Sequence, residues 1–133
     1  MNMKTKKRTF LIGLATCLVA LVPLAATATA NDDDVERAGT CTGSTSAELK
    51  LSPENGRIET EFEIDQNRTG VTWRVVLRAN GSVAARTQGT TRGPSGSFEV
   101  RRVLANRAGA DTVTARAVSP SGEVCTASAS ASF

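Results

Sequence analysis

The segment RIETEFEID, residues 57–65, places Ile58, Thr60, Phe62 and Ile64 at every second position, with Glu59, Glu61 and Glu63 between them. A period of two sends alternate side chains to opposite faces of an extended chain, whereas a helix would spread both sets around its circumference. The segment therefore reads as a strand with one buried and one wet face. Before it, Ala47, Leu49 and Leu51 alternate with Glu48 and Lys50, and Pro53, Glu54, Asn55 and Gly56 read as the turn between the two strands. After it, Val71, Trp73, Val75 and Leu77 alternate with Thr72, Arg74, Val76 and Arg78. Trp73 reads as the large core filler of its strand.

Asn80 and Gly81 signal a type I′ hairpin, leading into a weaker strand over residues 83–87. Residues 88–97 are rich in Gly, Thr, Pro and Ser and are expected to form the most mobile loop. Strands resume with Phe98, Val100 and Val103, and again where Val113, Ala115 and Ala117 alternate with Thr112, Thr114 and Arg116. Residues 106–110 and the group Pro120, Ser121 and Gly122 read as turns, and a last strand runs from Glu123 through Cys125 toward Phe133. No stretch carries a helical period with caps. About seven short antiparallel strands at this spacing give an all-β fold, a single β-sandwich.

The stretch NRAGADTVTARAVSPSGEVC, residues 106–125, resembles the last two strands and intervening turn of immunoglobulin-like or fibronectin III-like sandwiches in small secreted bacterial proteins. The resemblance spans residues 41–133 and implies an immunoglobulin-like architecture and no particular function. Two departures limit it. Cys41 precedes the first expected strand and Cys125 lies in the last, unlike the bridge of antibody domains, and a chain without tyrosine has no tyrosine corner.

The N-terminus has the form of an export signal. Lys4, Lys6, Lys7 and Arg8 precede an uncharged apolar run over residues 10–26, and Ala28 and Ala30 supply the small side chains of a cleavage site after Ala30. Three alternatives are weaker. Pro23 interrupts the run, against an uncleaved anchor. Cys17 follows Thr16 and is followed by more apolar chain, against lipidation. Lys7 and Arg8 only partly match a twin-arginine signal. The expected organisation is a signal peptide over residues 1–30, an acidic flexible leader over 31–40 and the sandwich over 41–133. The mature chain is expected to be secreted, into the medium or the cell-wall space, with no membrane span.

Removing the signal takes four of the sixteen basic residues and none of the thirteen acids, so twelve bases face thirteen acids and the net charge is −1. A basic protein made for nucleic acid is excluded on that balance. Of the twelve remaining bases only Lys50 is lysine, a bias that points to a high-GC, actinobacterium-like source. Cys41 and Cys125, an even pair in an exported chain, are expected to form a disulfide; free thiols or an intermolecular link are the alternatives.

Chemistry is sparse. No histidine is present, so triads and the usual general bases are missing, and no catalytic residue, cofactor or metal is expected. Glu59, Glu61 and Glu63 read as a solvated strand face, and Asp32, Asp33 and Asp34 as a solubilising leader. Asp65, Asn67, Thr69 and Gly70 match the first half of a calcium loop, but Val76 stands where the bidentate Glu belongs, so a turn is expected. Asn67, Arg68 and Thr69 also form a glycosylation sequon.

The charges are unevenly distributed: residues 31–65 hold ten acids and three bases, residues 66–133 three acids and nine bases. If the third, fourth, sixth and seventh expected strands share a sheet, Arg74, Arg78 and Arg116, with Arg86 nearby, stand on one outer face. Glu48, Glu59, Glu61 and Glu63 stand on the other, partly offset by Lys50 and Arg101. Ion pairing and solvation alone would account for such charges. The sharper expectation is an anion-binding face on a non-catalytic secreted or envelope-associated domain. Its partner would be an anionic cell-wall polymer, an acidic protein, or the acidic sheet of another copy by self-association. The competing function is inhibition of an extracellular hydrolase through residues 88–97, with Arg92 as bait. A third is a small-molecule carrier like the neocarzinostatin-type apoproteins, whose two short disulfide loops this chain lacks.

Overall fold

The computed structural model describes residues 33–133; the expected signal segment, with Cys17, Ala28 and Ala30, lies outside the described residues. In chain order the strands are β1 (Val35–Ala38), β2 (Thr40–Cys41), β3 (Ser46–Glu54), β4 (Arg57–Asp65), β5 (Thr72–Ala79), β6 (Ser82–Thr90), β7 (Ser97–Leu104), β8 (Asp111–Val118) and β9 (Val124–Ala131). They form two antiparallel sheets, one in the order β1-β3-β4-β7 and the other in the order β2-β9-β8-β5-β6. The fold is an all-β sandwich, and the third, fourth, sixth and seventh strands of the sequence reading, β5, β6, β8 and β9, do share a sheet. Among the described residues, no helix is long and apolar enough to cross a membrane.

Three details differ from the sequence reading. The turn after β3 is only Asn55 and Gly56, at φ 49° and 74°, while Pro53 and Glu54 still pair with Ile58 and Arg57. Strand β1 begins opposite Leu51, so Pro53 stands where β3 has no outer neighbour and a missing N–H costs least. Residues 88–97 are not a long mobile loop. Strand β6 continues to Thr90, the side chain of Thr91 is buried, and Arg92 bridges Ser97, leaving a four-residue turn whose Gly96 carbonyl accepts from Gln66 N at 3.1 Å. Finally, residues 35–41, mostly within the expected flexible leader, make two short strands. β1 pairs with β3 and β2 with β9, so the chain changes sheets at Gly39.

Large side chains from one sheet meet small ones from the other. Leu49, Leu51, Ile58, Phe62 and Ile64 point inward from β3 and β4, and β8 and β9 answer with Val113, Ala115, Ala117, Ala127, Ala129 and Ala131. Trp73 on β5 is fully buried in the same core cluster, and its indole Nε1 donates to Gln66 Oε1 at 3.2 Å. Pairing large with small residues brings the sheets to interior packing density with few voids. Cys41 and Cys125 face each other as paired residues of β2 and β9 and are joined by a disulfide.

Candidate functional site

Outward side chains of the five-stranded sheet form a grid fixed by strand register. Along β5 they are Thr72, Arg74, Val76 and Arg78, because Trp73, Val75 and Leu77 take the inward positions. On the β6 side, Arg86 is paired with Val76 and Gln88 with Arg74. On the β8 side, Arg116 is paired with Val76 and Val118 with Arg74. Val76 is therefore the centre of a cross: Arg74 and Arg78 lie two residues away along its own strand, and Arg86 and Arg116 flank it on the neighbouring strands. Strand spacing of about 4.8 Å sets Arg86 and Arg116 about 10 Å apart at the backbone. A depression of about 570 Å³ lies here, lined by Arg74, Val76, Arg86, Gln88, Arg116 and Val118.

The rest of this face is hydroxyl-rich and carries no carboxylate. Thr112 and Ser130 hydroxyls are hydrogen-bonded at 2.7 Å, and those of Thr72 and Thr90 at 2.8 Å. All four arginines are exposed, and among the described residues none forms an ion pair. Arg78 alone has an internal hydrogen bond, donating to the Gly81 carbonyl at 3.5 Å. Sequence reading placed the arginines and Val76 on one face but did not bring Gln88 and Val118 to it: Gln88 was assigned to the expected loop, whereas β6 runs through it, and Val118 lay beyond the alternation read in its strand.

The four-stranded sheet is the electrostatic opposite. Lys50 lies 3.3 Å from Asp34 and 3.4 Å from Glu61, and Arg101 is ion-paired with Glu59. Partial burial pulls the Lys50 ammonium down, but those two carboxylates more than offset it and hold its pKa above the ordinary value. Among the described residues, one row of carboxylates has no ion pair. Glu48 is paired with Glu63, and Glu63 with Glu99, across β3, β4 and β7. Partial burial, with the charges of Glu61 and Glu63, pushes the Glu99 carboxyl above its usual range. Glu99 is the member of this row that sequence reading missed.

The remaining candidates do not assemble sites. Asp65 Oδ1 accepts from Asn67 N at 3.2 Å, and Asn67 has φ 55°, so the calcium-like residues close a turn between β4 and β5. Cys41, Cys125 and Glu123 bring potential ligand atoms within 4.8 Å of one another, but the two sulfurs are bonded to each other and are not thiolate ligands. Arg92, the expected bait residue, is held in a tight turn, its carbonyl accepting from Gly96 N at 2.9 Å and Ser97 N at 3.2 Å. The chain matches no protein-family model, and no curated protein and no solved structure matches it.

Proposed function

We propose that this is a secreted, envelope-associated, non-catalytic binding domain of the immunoglobulin-like class, which docks on anionic cell-wall polymer through the arginine cross around Val76. The observation that carries the reading is four exposed arginines on one flat face with no carboxylate among them. Arginine presents a planar fork of donors that matches phosphate and carboxylate oxygens, so a cluster of four suits a polymer with repeated anionic groups. Support for the class comes from strand order. Leaving aside β1 and β2, one sheet holds strands one, two and five and the other holds four, three, six and seven, the arrangement of fibronectin III-type sandwiches. A non-catalytic role fits a chain with no histidine.

The test is co-sedimentation of the processed protein with cell envelopes across a salt series. Binding should be strongest at low salt and fall as screening shortens. Replacing Arg74, Arg78 and Arg116 with Gln should abolish retention while leaving the domain folded, with an unfolding midpoint no lower than that of the unaltered chain. Retention unchanged by the three substitutions would rule the arginine face out.

A further inference from the structure

We infer that the arginine face also takes the carboxylate row of a second copy, so that the domains stack front to back. This rests on the reading of the arginine cross as an anion-docking surface and names a protein partner for it.

The two outer faces of one molecule are complementary in sign and spacing. Glu48, Glu63 and Glu99 form a row across three neighbouring strands, so its ends are two strand spacings, about 10 Å, apart. Arg86 and Arg116 are separated by the same two spacings, across Val76. Glu48 and Glu99 of one copy can therefore meet Arg86 and Arg116 of the next. Glu63 then falls over Val76, within side-chain reach of Arg74 or Arg78, each about 7 Å along β5. Lys50 and Arg101 are engaged by Asp34, Glu59 and Glu61, and among the described residues no ion pair reaches Glu48, Glu63 or Glu99. Each isolated face is repulsive within itself, and stacking relieves both repulsions at once.

The geometry also fixes what kind of assembly results. The donor and acceptor faces lie on opposite sides of one sandwich, so the contact is heterologous and repeats without closing, giving short linear stacks instead of a symmetric dimer. A four-strand face about 19 Å wide and 26 Å long offers about 500 Å² per partner, below the usual size of a stable interface. The association is accordingly weak, electrostatic and sensitive to salt.

Sedimentation velocity on the protein, purified in the form the cell yields, tests this. At about 10 mM salt, where the screening length is about 30 Å, the sedimentation coefficient should rise with protein concentration; at about 1 M salt, with a screening length of about 3 Å, it should return to the monomer value. Two variants then separate the faces: R74Q/R78Q/R86Q/R116Q, and E48Q/E63Q/E99Q. Each alone should lose self-association by about tenfold or more, equivalent to about 1.4 kcal/mol. Mixed one to one, they should form a heterodimer and stop there, because each retains only one of the two complementary faces. A wild-type protein that stays monomeric at low salt at every concentration overturns the inference, as does a mixture that stays monomeric. Soluble polyphosphate distinguishes this failure from that of the proposed function. A monomeric protein that still binds polyphosphate in a salt-dependent way retains the docking face and loses only the self-stacking, whereas one that binds neither loses both.

Discussion

Thr60 is fully buried at an inward position of β4, and its hydroxyl has no hydrogen-bond partner. Sequence alternation placed it correctly on the core side, where a hydroxyl is a liability, because desolvating it without a partner costs more than replacing it with a methyl group. Thr60→Val keeps the branched shape and should stabilise the domain by about 1 kcal/mol, raising the melting temperature by about 5 °C. A melting temperature equal to or below wild type would mean the hydroxyl is satisfied. Asp111 is the opposite case. Its buried carboxylate accepts from Arg107 N at 2.8 Å and Asn80 Nδ2 at 2.6 Å, tying the turn after β5 to the start of β8. The backbone hydrogen bond from Arg107, then that from Asn80, holds its pKa below the usual carboxylate range. A depressed folded pKa means that the stabilisation is complete above the unfolded value and is lost as pH falls through the folded one. Asp111→Asn should therefore be less stable than wild type at neutral pH, with the gap narrowing in acid titrations of the unfolding midpoint. A constant gap down to strongly acid pH would show that the carboxylate charge is not what matters. Glu99 acts in the other direction: its raised pKa penalises the folded state at neutral pH, and that penalty disappears as the solution is acidified.

The elements that were legible in the sequence are those with one buried and one wet face. β3, β4, β5 and β8 announce themselves because leucine, isoleucine, phenylalanine, valine and alanine alternate there with charged or hydroxyl residues. β1 did not, because a four-residue edge strand with a single half-buried position, Val35, has no alternation to read. β6 was read too short for a related reason: as an edge strand it buries no side chain fully, and its end runs through Gly89. That glycine is required by packing, since a Cβ there would strike the ring of Phe98 where β6 closes against β7. Gly39 is constrained similarly, with Thr126 O only 2.6 Å from where its Cβ would stand, and this close approach lets the chain cross from β1 to β2. The disulfide fixes that crossing. It closes a loop with a sequence separation of 84. For a loop of this length the chain-entropy account gives about 4 to 5 kcal/mol. Replacing both cysteines with alanine should reduce stability by up to that amount and free β1 and β2 first, before the two sheets separate. Hydrogen exchange should show amides of residues 35–41 losing protection in the variant while those of β4 and β5 keep theirs. Uniform loss of protection across both sheets would instead make the bridge a constraint on the whole sandwich.

At the scale of the molecule, the arginine face was legible because outward parity is fixed once a strand is recognised, and Arg74, Arg78 and Arg116 lie on strands with clear alternation. Its centre was not, because only register across β5, β6 and β8 reveals that all four arginines surround one valine. That centre carries a physical consequence. Like charges about 8 to 13 Å apart in water repel by about 0.3 to 0.5 kcal/mol per pair before screening, so the cross is self-repulsive at low salt. A single carboxylate at its middle would remove most of that repulsion, yet the position holds valine, which leaves the cross without a counter-charge on its own face. Val76→Glu tests this trade between stability and binding directly. The variant gives up some apolar burial at a half-buried site but gains four attractive neighbours. Its unfolding midpoint at low salt should equal or exceed that of wild type, and its advantage should shrink as salt is added. Over the same range the wild-type midpoint should rise, because salt screens repulsion within its faces. Envelope binding by the variant should fall as steeply as in the triple glutamine variant, since the internal carboxylate now competes for the guanidinium groups. A variant that is both more stable and still bound would place the docking surface elsewhere. A variant that is less stable at every salt concentration would mean that the arginines splay far enough into solvent to feel neither one another nor the residue between them.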